Sequence, residues 1–274
     1  MLYDPELIKK IESMANQLRL DVIEMIGVGI AGHIGGSLSS AEMVAALYFY
    51  KMRYDPKDPH MLGRDRFILS KGHVAVLQYA ALAEAGFFPK AELKHCKEVG
   101  AMLQGHPDVI KTPGIEAGTG SLGQGLSIGL GMALGQRLNE ENAHVYVLMG
   151  DGEMGEGQIW EAAMASANYK VSNLVGILDN NGLQATGTIE DRMNSGDLRA
   201  KWEAFGWRVI EIDGHSVEGI LNALDEADIT DDRPTLILMH TVKGKGLSFA
   251  ENNVAYHNGV LTEETYAQAL KELA

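Results

Sequence analysis

The sequence predicts an α/β fold: a mainly parallel sheet with helices on both faces, in three layers. Three observations carry that prediction. Short apolar runs alternate with helix-periodic stretches, as in β-α-β units rather than hairpins. Two polar groups, Gly150-Asp151-Gly152 and Asp179-Asn180-Asn181, each follow such a run, where a parallel sheet carries its binding loops. The 274 residues are 46% hydrophobic and 22% charged, enough apolar material for a core of ordinary size. No Pro/Ser-rich linker, repeat or low-complexity segment divides the chain, so residues 1–274 read as one domain.

Each element has its own signal. Leu7, Ile8, Ile11, Met14 and Leu18 recur at helical spacing; Asp4 is placed to cap that helix and Pro5 suits its first turn. A small-residue loop is expected over 27–40. Ser39 and Glu42 stand at capping-box spacing before a helix through Ala45, Leu47 and Phe49. Residues 66–69 read as a buried strand, and Ser70-Lys71-Gly72-His73 as the turn leaving it. Helices are expected over 74–85 and 90–98, with Cys96 an ordinary helix residue rather than a nucleophile. A glycine-rich loop over 118–125 runs into a helix bearing Gly125, Gly129, Gly131 and Gly135. Glycine weakens a helix, so another backbone or a subunit should pack close there. The clearest strands are 145–149 and 174–178, with a helix around 159–168 between them. Further strands are read at 207–212 and 235–239. A last helix over 261–274 has Thr262 as its cap.

Composition also excludes. A net charge of −14 argues against a nucleic-acid partner and against an anionic membrane surface. No signal peptide is visible, and no apolar run approaches the length of a membrane span. The one cysteine cannot form an internal disulfide, which suits a reducing cytosol.

The two polar groups carry the chemistry. With a helix between the strands that precede them, both emerge at the same sheet edge, where Asp151 and Asn181 can converge on one hard cation. Mg²⁺ takes octahedral oxygen and is commonly shared with a phosphate. The flanking glycines let backbone approach that phosphate. The expectation is a Mg²⁺-diphosphate site; the bland alternative, in which Asp151 and Asn181 only cap turns, is weakened by their occurring together.

Beyond this pair, Gly32-His33-Ile34-Gly35-Gly36, Ser70-Lys71-Gly72-His73, Gly105-His106-Pro107, Gly120-Ser121-Leu122-Gly123-Gln124-Gly125 and the late His257 follow in order. Together these motifs resemble the transketolase family from the first helix to the C-terminus, and the fold implied is the thiamine diphosphate-binding fold. By this resemblance Asp151, Asn181 and the carbonyl of Leu183 ligate Mg²⁺, which Ca²⁺ or Mn²⁺ could replace. Gly150, Gly152, Glu153, Gly120, Ser121 and Leu122 fall in the cofactor-binding set; Gly120 and Leu122 would hold the aminopyrimidine ring. His73 and His257 would approach the diphosphate. His33, His106 and again His257 would be catalytic, His33 and His106 facing the sugar hydroxyls and the reacting carbon. Glu156 resembles a glutamate at the subunit boundary linking paired sites, and it equally suits a helix's first turn. Lys243-Gly244-Lys245-Gly246 either lends charge to the phosphates or is a solvated basic loop; the sequence leaves both open. His60, His95, His144, His215 and His240 lack motif support and are read as surface or packing residues. Ile34 stands where transketolases often have proline, and Ala185 where many have a larger aliphatic.

The resemblance also implies what is missing. In transketolases a glutamate on a second, pyrimidine-binding domain activates the cofactor. That domain and the C-terminal one are expected on a separate chain. The expectation is the N-terminal subunit of a split transketolase, transferring a two-carbon ketol unit from a ketose, free or phosphorylated, to an aldose. The expected assembly is an α2β2 heterotetramer. The alternatives are the α chain of a thiamine diphosphate-dependent 2-oxoacid dehydrogenase, against which the histidine loops count, and a non-catalytic thiamine diphosphate-binding subunit.

Overall fold

A computed structural model describes residues 3–228 and 232–274. The chain begins with α1 (Pro5–Ile26), whose first turn is capped by the Asp4 carboxylate accepting from the Glu6 amide. After the short strand β1 (Ala31–Gly32) come α2 (Ile34–Leu38) and α3 (Ala41–Ala46), which runs into a π-helical turn over Leu47–Lys51. The small-residue segment is therefore partly helical. The capping box expected at Ser39 and Glu42 does not form. Ser40 occupies the N-cap without a side-chain bond to the helix; Ser39 turns to Asp179, and Glu42 is drawn to Arg19.

Strand β2 (Arg66–Leu69) leads through a 3₁₀ turn into α4 (Ala75–Glu84), as expected. The expected helix over 90–98 is instead a 3₁₀ stretch, Lys90–His95, ended by Cys96 and by Lys97 at φ 68°. Burial pushes the Cys96 thiol up to about 11, so it is not a thiolate nucleophile near neutral pH. The remaining elements are α5 (Gln124–Leu138), β3 (Val145–Gly150), α6 (Gly157–Asn168), β4 (Leu174–Asn180), the small hairpin β5 (Leu183–Gln184) and β6 (Gly187–Thr188), α7 (Ile189–Met193), α8 (Leu198–Ala204), β7 (Arg208–Asp213), α9 (Val217–Ala227), β8 (Thr235–His240), β9 (Gly259–Val260) and α10 (Glu263–Glu272). Thr262 caps α10 with a complete capping box.

The main sheet runs β2-β3-β4-β8-β7 and is parallel throughout. Alternation along its strands divides the core. Tyr146, Leu148, Val175, Ile177, Ile237 and Met239 face α1, α3, α4 and α9. Val145, Val147, Leu174, Leu178, Leu236 and Leu238 face α5, α6 and α8. Period-2 side chains on a sheet buried from both sides give the three expected layers. Parallel pairing also puts every strand's carboxyl end on one edge, and Gly150 lies in register with Asp179 there. The glycines of α5 behave in two ways: a Cβ on Gly125 would stand 2.5 Å from Ser70 Cβ and one on Gly129 2.5 Å from Val147 Cγ2, whereas Gly131 and Gly135 have open space. Among the described residues, no helix is long and apolar enough to cross a membrane.

Candidate active site

A cavity of about 370 Å³ opens at the carboxyl edge of the sheet, walled by the loops after β2, β3, β4 and β8 and by the histidines before α2 and β9. Asp151 follows β3. Its Oδ1 accepts from the Gly152 amide at 2.7 Å and its Oδ2 from the Gly182 amide at 2.5 Å. Burial and then the neighbouring Asp179 charge push its carboxyl up to about 6, partly opposed by those two amides. Asn181, on the next loop, accepts from the Leu183 amide at 3.1 Å and donates to Asp179 at 3.1 Å. The carbonyl of Leu183 accepts from the Lys243 ammonium at 2.7 Å. The three predicted metal ligands thus line one wall, and a cation of the protein already sits at one of them. Lys243 is 3% exposed, and burial depresses its ammonium to about 8 while Asp179 and Asp151 hold it up. The solvated reading of this loop therefore does not hold for Lys243, which is buried in the cavity wall; Lys245 faces outward, 3.7 Å from Glu251.

Beneath this wall lies a fully buried ion pair that the sequence reading did not assign. Lys71 donates to Asp179 at 2.6 Å, to Ser40 Oγ at 2.7 Å and to the Gly36 carbonyl at 3.0 Å. Ser39 and Thr241 hydroxyls also donate to Asp179. Burial alone would raise the Asp179 carboxyl; the Lys71 ammonium overrides it and holds it well below the usual carboxylate range. Both residues stood inside noted motifs, Ser70-Lys71-Gly72-His73 and Asp179-Asn180-Asn181. What the sequence lacked was any sign that they meet. Glu153 does related work. Buried, it accepts from Ser70 Oγ, from the Gly123 amide at 2.7 Å and from the Gly150 amide at 3.2 Å, tying the glycine-rich loop to the strand ends.

The opposite wall holds His33, His73 and His257, with ring centroids 4.9, 5.5 and 5.2 Å apart in pairs. The β1–β9 ribbon brings the first and last together, pairing Gly32 with Gly259. Burial depresses His33 and His257 to about 4, with neighbouring cations adding to it, and depresses His73 further. All three rings are therefore neutral near pH 7. His106 is exposed, and its ring lies against Gly120, where an added Cβ would come within 3.2 Å of His106 Cδ2. Gly120, Leu122, Gly150 and Gly152 line the cavity. His106 and the exposed Ser121 are not on its wall, nor is Glu156, the N-cap of α6. The turn next to Asp151 is the 3₁₀ segment Gly152–Gly155, and α6 begins directly after Glu156.

Of the remaining histidines, His95, His144 and His240 pair at the surface with Glu98, Asp228 and Glu211, and His60 is exposed. His215 is packed rather than at the surface: its Nδ1 lies 3.3 Å from the buried Glu42.

The family model described as transketolase, thiamine diphosphate binding domain, matches residues 10–274. The chain is 43% identical over 267 residues to a subunit of the apulose-4-phosphate transketolase of Phocaeicola vulgatus, spanning 97% of this chain and 95% of that one. It is 44% identical over 263 residues to the 6-deoxy-6-sulfo-D-fructose transketolase subunit SqwG of Clostridium sp. (strain MSTE9), spanning 96% of each. Human transketolase is 38% identical over 271 residues, which cover 98% of this chain and 43% of that protein. The solved transketolase of Leishmania mexicana superposes with a TM-score of 0.91 at 32% identity, over 96% of this chain and 41% of that one. The chain spans less than half of those two transketolases and nearly all of the two subunit proteins. With the cavity at the sheet's carboxyl edge and its histidine wall in the expected order, these matches show that the chain belongs to the transketolase family and carries its thiamine diphosphate-binding domain.

Proposed function

We propose that this chain is the diphosphate- and metal-holding subunit of a two-chain transketolase. The observation that carries the reading is the oxygen set Asp151, Asn181 and the Leu183 carbonyl, met by the Lys243 ammonium and facing three neutral imidazoles. Among the described residues, no group of three or more His, Cys, Asp or Glu side chains is placed to hold a metal. A divalent ion here would rest on one carboxylate and neutral oxygens. That donor set suits Mg²⁺, with Ca²⁺ or Mn²⁺ as substitutes, when a diphosphate completes the sphere. Lys243, already within reach of Leu183, would then lend its charge to the phosphates.

Thiamine diphosphate, when bound, supplies the carbon nucleophile and electron sink for breaking and re-forming the bond beside a ketose carbonyl. The chain's residues do the rest of what is asked of this half. Gly150 and Gly152 let backbone come close to the phosphates. His33 and His257 are neutral and weakly basic, so each can take a hydrogen bond or a proton from a sugar hydroxyl and release it readily. His106 would meet the substrate from the rim. Gly120 and Leu122 would flank the aminopyrimidine ring.

A partner chain would supply the glutamate that activates the cofactor. The two relatives named as subunits, of which the match covers 95% and 96%, support that division. The open faces of Gly131 and Gly135 leave room for contact with another subunit, and we read the assembly as α2β2. Those relatives are named for a ketose phosphate and a sulfo-ketose, and we read the substrate here as a ketose with a terminal anion. The single free cysteine fits a reducing cytosol.

Calorimetry of thiamine diphosphate binding, with Mg²⁺ and then with EDTA, tests the cofactor and metal. Ketol transfer by the chain with and without its co-expressed partner tests the division of labour. Full activity of the isolated chain would overturn that division. Turnover of a 2-oxoacid without ketose activity would favour a dehydrogenase α chain instead.

A further inference from the structure

The segment that carries Lys243 is held from behind by a buried relay outside every site motif. Arg19 of α1 and Glu42 of α3 are buried, and Arg19 Nη2 donates to both Glu42 oxygens at 2.7 Å. Glu42 Oε2 lies 3.3 Å from His215 Nδ1, within ion-pair range although off the line of a hydrogen bond. Across the same ring, His215 Nε2 accepts from the Val242 amide at 2.8 Å. A ring nitrogen that accepts carries no proton, so the network assigns the proton of the neutral ring to Nδ1, toward Glu42. Around His215 the turn is tight. The Gly214 amide donates to the His240 carbonyl at 2.8 Å, and the His215 amide to Asp213 Oδ1 at 2.9 Å. A Cβ at Gly214 would stand 2.4 Å from Thr241 Cγ2, so the two loops approach as closely as glycine allows.

Val242 separates two residues of the site. The Thr241 hydroxyl donates to Asp179, and the Lys243 ammonium donates to the Leu183 carbonyl at 2.7 Å. The Gly244 amide reaches the Gly35 carbonyl at 3.0 Å, beside the histidine wall. Fixing the amide between Thr241 and Lys243 therefore fixes the direction of both side chains. We propose that His215 is a positioning residue for the diphosphate end of the site, holding Thr241 and Lys243 over Asp179 and Leu183 through the Val242 amide, with Glu42 and Arg19 orienting its ring. The proposal rests on the thiamine diphosphate reading above.

The test compares the full chain with His215→Leu, which removes the acceptor, and His215→Gln, whose Oε1 can accept from Val242 in place of Nε2. Thiamine diphosphate with Mg²⁺ is titrated into each by calorimetry. The cofactor-free melting temperature and the hydrogen exchange of the Val242 amide are measured alongside. His215→Leu should weaken cofactor binding about tenfold and speed exchange at Val242, while His215→Gln stays within about threefold of the parent. A Leu variant binding within about twofold of the parent would overturn the proposal. So would Leu and Gln variants that lose equal melting temperature and equal affinity, the pattern of a merely structural residue. If the parent itself binds no thiamine diphosphate, the functional reading falls; unchanged Val242 exchange in the Leu variant is then what would overturn the positioning role.

Discussion

Lys71 is worth most to the site by what it neutralises. Replacing it with methionine leaves the Asp179 carboxylate buried without its cation, beside Asp151, whose own charge is already disfavoured. Removing one member of such a pair is far costlier than the pair's net worth, so Lys71→Met should destabilise the chain by about 3–5 kcal/mol in urea unfolding. Asp151→Ala has a different signature. It removes a predicted ligand while Lys243 keeps the Asp179 charge beside it, and cofactor affinity in Mg²⁺ should fall beyond the about 10–100-fold typical of losing a mere supporting residue. The histidines predict a pH dependence. His257 titrates near 4 in the folded chain against about 6.5 when unfolded, so protons bind the unfolded state first. Stability contributed by the neutral ring is whole above about 6.5 and is lost as pH falls toward 4. Unfolding of His257→Asn, compared with the parent across that window, should show a shallower acid loss; parallel curves would count against the burial argument.

At the scale of elements, α5 offers a contrast within one helix. Gly125→Ala or Gly129→Ala drives a methyl into Ser70 or Val147 and should cost about 1–3 kcal/mol. Gly131→Ala meets nothing and should raise the melting temperature of the isolated chain, by up to about 1 kcal/mol of helix propensity. If that face docks a subunit, the same substitution weakens assembly in size-exclusion chromatography while stabilising the lone chain. The helices that sequence read well, α1, α4, α6 and α10, have local caps or long apolar periodicity. Two of the misreadings show their physical causes. Lys90–His95 forms only 3₁₀ turns, closed where Lys97 takes a left-handed conformation. At Ser39 and Glu42 a local capping pattern lost to buried partners distant in sequence, Asp179 and Arg19.

The whole molecule is a parallel sheet with its chemistry on one edge and, in the proposed reading, half a catalyst. Reconstitution with the partner chain should raise ketol transfer about 10²–10⁴-fold over the isolated chain, the range a positioned acid–base group contributes. Much of the candidate site was legible beforehand, because Asp151 and Asn181 sit in polar groups directly after apolar runs, and His33, His73 and His106 sit in glycine-bearing motifs. By itself the sequence determined the layers, the sheet edge and the residues brought there, since periodicity and loop chemistry are local properties of the chain. Only the tertiary structure decided which charges meet. Lys71 finds Asp179 across 108 positions, Lys243 finds Leu183 across 60, and His215 finds Val242 across 27. No local pattern encodes those pairings; they follow from where the packed sheet sets each loop, and burial then makes an unpaired alternative too costly.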